Sequence, residues 1–145
     1  MSLVDVSTRV GAALCALLVA TACTAAVRSG DDGAAIYDAW RDGRSRVEVT
    51  ASGSVVRLLG TRIGRSGAHE GFLVHLSGAG ARGLTVRVED NVDLTGPIPL
   101  APGDAVTVRG EYIYDPRGGL IHYTHRDPRG RHPDGFVRVR DRVYR

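Results

Sequence analysis

Short segments with alternating apolar and polar side chains recur along residues 47–125, and this two-residue period constrains the fold more than any other feature. Such alternation is typical of strands that bury one face. The segments span residues 47–51, 55–59, 72–76, 84–89, 106–114 and 120–125. Only residues 34–41 have helical spacing, with Ile36 and Trp40 four positions apart. The sequence therefore predicts an all-β domain with one short N-terminal helix.

The first two segments read as a single strand that is interrupted by a glycine. Val47, Val49 and Ala51 alternate with polar residues, Gly53 breaks the pattern, and residues 55–59 resume it. A glycine inside a strand is typical of a sharp bend. We therefore expect a long, bent strand that forms two edges of a barrel.

Turn residues separate the later segments. Asp115–Gly119 predicts a tight hairpin turn, Ser77–Gly83 predicts a hairpin loop, and Asn91–Pro102, with three prolines, predicts a connection that holds a short helical turn. Five to six short strands with regular turns predict a small barrel of the oligonucleotide/oligosaccharide-binding (OB-like) type over residues 45–145. An antiparallel sandwich would produce a similar pattern.

The first 23 residues predict an export signal. The apolar run Val10–Ala22 follows Arg9 and is too short, as a helix, to cross the ~30 Å hydrocarbon core of a bilayer. Small residues at 20–22 suit either ordinary signal peptidase or a bacterial lipoprotein box that would lipidate Cys23. We therefore expect a signal peptide at residues 1–23, a linker with the short helix at 24–44, and a periplasmic or extracellular domain at 45–145.

The positive charge of the chain is concentrated near its C-terminal end. The formal net charge is +3, and residues 126–145 hold seven arginines against three aspartates. These arginines could contact an anionic surface. Because they alternate with valines, we favour the simpler interpretation that they form the solvent-facing side of a strand.

Several motifs, taken in order, resemble an exported bacterial family known by its domain-of-unknown-function number, 3465. The motifs are Ser66–Phe72, Val88–Leu94, Gly103-Asp104, Gly110–Tyr112, Gly118–His125, Asp127-Pro128 and Gly135-Phe136. The resemblance implies an exported location and an all-β barrel. It implies no activity, because none is assigned to the family.

Histidines suggest one candidate chemistry. His122 and His125 would point to opposite faces of a strand, so joint metal binding requires the strand to end between them. The following Asp127-Pro128 favours such an ending. With His69 and Asp127 as further ligands, and His132 in reserve, the set would suit Zn²⁺ or another divalent transition metal. Since the spacing matches no established ligand motif, a metal-binding protein or metal-dependent hydrolase is the alternative interpretation and not the one that we favour.

Aromatic and polar residues suggest a second candidate chemistry, which we favour. The candidate ligand contacts are Tyr112, Tyr114, His122, Tyr123 and Asn91. The same rings could instead form cross-strand aromatic pairs within the hairpin. Glu111 is expected to pair with a neighbouring arginine, either Arg109 or Arg117.

Other enzyme classes lack support. Residues 24–145 contain no cysteine and no Gly-x-Ser-x-Gly motif, so acyl-enzyme chemistry has no candidate nucleophile. A nuclease built on Glu89, Asp90 and Asp93 with Arg87 is a remote option, because such clusters are common on solvated loops. An exported protein seldom meets nucleic acid. The sequence thus favours a non-enzymatic module that binds a small molecule, a glycan or an envelope protein, with the membrane reached only through a lipid anchor.

Overall fold

The computed structural model describes residues 31–145. The predicted signal peptide and Cys23 lie outside the described residues. The two helices are α1 (Gly33–Arg41) and α2 (Val92–Thr95), and a single 3-10 turn covers Ala79–Ala81. The strands are β1 (Val47–Gly64), β2 (Gly67–Leu76), β3 (Thr85–Asn91), β4 (Ala105–Ile113), β5 (Leu120–His122), β6 (Phe136–Val139) and β7 (Arg142–Tyr144). Within this range no helix is long and apolar enough to span a bilayer.

Five of the strands form a ring. β1 pairs with β2, β2 with β3, β3 with β5, β5 with β4, and β4 returns to β1. The β3–β5 pairing is parallel and the other pairings are antiparallel. With only three residues, β5 is the short element through which the ring closes.

The long first strand confirms the prediction that it serves two edges. Residues 47–54 of β1 pair with β4, and residues 53–64 pair with β2. At the overlap, a Cβ on Gly53 would collide with the backbone of His75, so only glycine fits there. Two register shifts, Val55/Arg57 and Leu58/Gly60, bend the strand further.

The alternating residues fill the interior of the ring. Buried valines come from every long strand, joined by Phe72, Tyr112 and Ile121. Helix α1 buries Ile36 and rests Trp40 against this core, as the helical spacing predicted. The helix also packs on the 3-10 turn, where Gly33 and Gly80 approach Ala81 and Ala34 closely.

The strand count differs from the prediction, because the sheet has seven strands rather than five or six. β6 pairs with β4 and continues into β7 through a two-residue turn at Arg140 and Asp141. Both turn residues have positive φ, 49° and 61°, a conformation that usually selects Asn-Gly. Without a glycine, this hairpin carries no turn signal. The β6 valines, Val137 and Val139, face the core, while Val143 of β7 and the side chain of Arg140 are exposed.

Candidate functional site

The strand that carries the predicted histidines ends earlier than expected. We predicted a strand over residues 120–125, but β5 ends at His122. Tyr123 adopts a left-handed conformation, with φ of 55°, which turns the chain out of the sheet. The backbone of Gly135 packs against the Tyr123 carbonyl so closely that no Cβ would fit. The strand therefore ends between His122 and His125, and the rings that follow it gather at one end of the β5 strand.

A buried carboxylate anchors the segment after β5. The side chain of Asp90 has no exposed surface and accepts hydrogen bonds from the hydroxyls of Thr124, at 2.6 Å, and Thr95. Burial raises the pKa of Asp90, while the two hydroxyl donors oppose that rise. Asp90 thus ties β3, α2 and the chain after β5 together.

A second carboxylate organises the loop that follows. Asp127 accepts the backbone N–H groups of Arg129, at 2.9 Å, of Arg131, and of His132, at 3.1 Å. The Arg129 N–H, helped by the other two N–H groups and by His132, lowers the pKa of Asp127 against the effect of burial. Because its oxygens are engaged by the backbone, the predicted metal-ligand candidate Asp127 shapes the loop that carries His132.

These two anchors bring four aromatic rings into contact. The ring of Tyr123 stacks on His122, with centroids 4.0 Å apart, and on His132, with centroids 4.1 Å apart. His125 meets His132 edge to face, with centroids 5.0 Å apart. Tyr123 remains 38% exposed. We name this group of four residues the ring cluster.

The ring cluster forms one wall of a groove of about 920 Å³. The other lining residues come from the β1–β2 turn, through Arg65, from β2, through His69, and from α2, through the half-exposed Leu94. Arg129 and Arg131 extend the wall of the ring cluster. A groove of this size has the dimensions of a small-molecule site, but its lining is mostly polar and charged, with Leu94 and Pro128 as apolar residues beside the rings.

Charges in the groove are unevenly paired. Glu89 contacts Arg87 at 3.4 Å, and Asp93 accepts the backbone N–H of Ala68 at 2.9 Å. By contrast, no carboxylate in residues 31–145 pairs with the guanidinium of Arg65 or Arg129. The groove therefore presents cations that are free to meet an anion.

The predicted ligand contacts do not all reach the groove. Asn91, His122 and Tyr123 line it, and Asn91 also caps α2 by accepting the N–H of Asp93. Tyr112 is fully buried, and its hydroxyl donates to the Gly118 carbonyl at 3.1 Å. Tyr114 lies away from the groove and is 40% exposed at the end of β4.

The expected pairs within the hairpin are different in the structure. Glu111 lies opposite His122 and accepts from its Nε2 at 3.2 Å, instead of pairing with Arg109 or Arg117. Tyr112 lies opposite Ile121, so the strands form no cross-strand aromatic pair there. The reason is the register, which sets Tyr112 against Ile121 and would set Tyr123 against Gly110 if the strand continued.

The predicted metal ligands His69, His122 and His125 line the same groove, together with His132. Within residues 31–145, no three His, Cys, Asp or Glu side chains are grouped so as to hold a metal ion. Sequence reasoning missed Arg65, Arg129 and the role of Asp90. A signal for Asp90 was present, because Val86, Val88 and Asp90 share one strand face and all three are fully buried.

Comparison with known proteins adds a family but no activity. No curated protein and no solved structure is significantly similar to the chain. Residues 17–145 match the family described as "Protein of unknown function (DUF3465)". The match includes every strand of the sheet and every residue of the ring cluster. The chain therefore belongs to this family.

Proposed function

We propose that the protein is an exported, non-enzymatic binding module whose groove takes a small organic anion. The observation that carries the proposal is the meeting of unpaired arginines with the ring cluster in one groove of about 920 Å³. A ligand with an apolar ring and an anionic group would match this surface, because Tyr123 and Leu94 supply apolar contact and Arg65 and Arg129 supply charge.

The strained backbone at Tyr123 supports the same proposal. A bulky side chain rarely adopts a positive φ, and such conformations are concentrated at functional sites. Here the left-handed turn places the Tyr123 ring between β5 and the His132 loop, where the ring faces the groove. If the strand continued through this position, the side chain would instead point to one of the two faces of the sheet.

The architecture is part of the proposal. We propose that the ring of five strands is an OB-like barrel, supported by the strand order, the parallel β3–β5 pairing and the helix between β3 and β4. Barrels of this type bind ligands near the β2–β3 face and the β1–β2 loop. Arg65, His69 and Asn91 come from those elements. The exported location rests on the apolar run Val10–Ala22.

The test uses phenyl phosphate as a probe with one ring and one anion, and benzyl alcohol as its neutral counterpart. Isothermal titration of the full chain should detect phenyl phosphate and not benzyl alcohol, and added salt should weaken the binding. Arg65→Ala and Arg129→Ala should each weaken it by about ten- to a hundredfold, since a hydrogen bond to a charged group contributes roughly 1.5–3 kcal/mol.

Arg57→Ala is the matched control, because Arg57 is an exposed arginine of β1 that does not line the groove. It removes the same charge from the protein and should leave the affinity unchanged. Equal losses in all three variants would mean that net charge, and not the groove, attracts the probe. That outcome, or no binding of phenyl phosphate, would contradict the proposal.

A further inference from the structure

A smaller recess of about 240 Å³ continues the groove along the β1–β2 hairpin. The groove and the recess share three lining residues, Gly64, His69 and Glu89. The recess adds residues of β1, β2 and β3 that do not line the groove: Leu59, Gly60, Arg62, Ile63, Gly71 and Arg87. The two cavities therefore form one continuous depression.

The strand register places this depression on the outer face of the sheet. Val88 and Asp90 of β3 are buried, so Glu89 between them points to the opposite face. Glu89 lies opposite Gly71 of β2, which lies opposite Gly60 of β1. From β1 across β2 and β3 to β5 there are three interstrand steps of about 4.8 Å, which make a span of roughly 14 Å. The depression therefore suits a ligand that is longer than a single ring.

Two facing glycines leave the backbone bare on the floor of the recess. Gly60 has φ of 78° beside a register shift, so its own backbone conformation requires glycine. Gly71 does not have a positive φ, but an added Cβ there would lie 3.3 Å from the side chain of Leu59. A glycine inside a strand often marks a place where a ligand comes close to the backbone. The bare floor thus gives a flat ring direct access to the sheet.

Arg62 brings a cation to the recess. Its side chain is exposed and lies opposite His69 in the register. No carboxylate in residues 31–145 pairs with its guanidinium, as is also true of Arg65 and Arg129 in the groove. Unpaired cations therefore occur in both parts of the depression, which favours a ligand with more than one anionic group.

Carboxylates lie among these cations. Glu89 contacts Arg87, and Asp93 accepts the N–H of Ala68. An ionised carboxylate has about four acceptor positions, so both retain positions for further donors. Hydroxyl groups donate as well as accept, and they match a surface that mixes carboxylates with arginines and the amide of Asn91. A phosphate-dense polymer would be repelled by the two carboxylates.

We propose that the groove and the recess together bind a linear acidic oligosaccharide. This inference rests on the proposed function of the groove and names the class of its ligand. One acid group of the sugar chain meets Arg62, and a second meets Arg65 or Arg129. Sugar hydroxyls donate to Glu89, and the flat face of one sugar ring lies on the bare backbone at Gly71.

The experiment is isothermal titration of the full chain with two linear uronate trisaccharides, trigalacturonate and trimannuronate. Galacturonate is the single-ring comparison, maltotriose is the neutral trisaccharide, and inorganic tripolyphosphate is the anion without hydroxyl-bearing rings. We expect at least one uronate trisaccharide to bind at least about tenfold more tightly than galacturonate, because it adds a contact with a charged group. Maltotriose should give no signal, tripolyphosphate should bind more weakly, and phenyl phosphate should compete with the trisaccharide for the groove.

Arg62→Ala tests the recess directly. It should weaken binding of the trisaccharide by about ten- to a hundredfold. Arg57→Ala is the matched control, because Arg57 is an exposed arginine of the same strand that lines neither the groove nor the recess. It should leave the affinity for the trisaccharide unchanged.

Four results would overturn the inference: no binding of either uronate trisaccharide, equal affinity for galacturonate, tighter binding of tripolyphosphate, or equal losses in Arg62→Ala and Arg57→Ala. Phenyl phosphate tests the groove by itself. If phenyl phosphate binds to the wild type and neither trisaccharide does, the oligosaccharide is wrong and the proposed function of the groove still holds.

Discussion

Replacing Gly119 by alanine should destabilise the protein at the turn before β5, where the ring of strands closes. Gly119 has φ of 96°, and an added Cβ would overlap the ring of Tyr112. The strained backbone costs about 1–2 kcal/mol for a residue with a side chain. Displacing the buried Tyr112 adds about 1–3 kcal/mol, and losing its hydrogen bond to Gly118 adds about 1 kcal/mol. We expect Gly119→Ala to lower the free energy of unfolding by roughly 3–6 kcal/mol.

The chain offers a matched control for the backbone strain. Gly103 has φ of 95°, but a Cβ there would have no neighbour within 4 Å. Gly103→Ala should therefore lose only about 1–2 kcal/mol of unfolding free energy. Urea unfolding, followed through the fluorescence of the single tryptophan, Trp40, measures both variants. Losses that agree within about 0.5 kcal/mol would refute the packing of Tyr112 on the turn that leads into β5.

Two further changes test the buried polar groups beneath the site. Because burial raises the folded-state pKa of Asp90, its contribution to stability is greatest below the unfolded-state value of about 3.9 and declines as the pH rises through the folded-state value. Asp90→Asn should remove this decline in the free energy of unfolding, and urea unfolding measured from pH 4 to 7 would show it. A pH dependence equal to that of the wild type would contradict the burial of the Asp90 carboxylate. Tyr112→Phe should cost about 1–2 kcal/mol by leaving the Gly118 carbonyl without its donor, whereas the exposed Tyr114→Phe should cost nothing measurable in the same urea assay.

Local pattern was sufficient to predict most strands of the ring, because they keep one apolar face and their turns contain glycine or proline, but it left a barrel and a sandwich both open. The glycine at position 53 even indicated where β1 changes partners. The β6–β7 hairpin was harder, since its turn places Arg140 and Asp141 at positive φ without a glycine. Tertiary contacts with β4, and not the turn residues, set that hairpin in place.

The candidate site was predictable only in part. The strand was predicted to run to His125, although Asp127-Pro128 favoured an end between His122 and His125, and β5 ends at His122. The arrival of Arg65 and Arg129 at the same groove depends on contacts between segments distant in sequence. Local sequence patterns do not predict contacts between such distant segments. Asp90 was the exception, because the face of Val86 and Val88 already pointed its carboxylate inward.

We propose above that ligands bind in the groove beside the ring cluster. The most direct measurement is an NMR titration of the isotope-labelled full chain with phenyl phosphate, in which the backbone amide shifts identify the contact surface. We expect the largest shifts at residues 64–69 and 122–132, which border the groove. Shifts concentrated at Ser52–Ser54 and Arg138–Asp141, which line a separate surface depression, or no shifts at all, would contradict it.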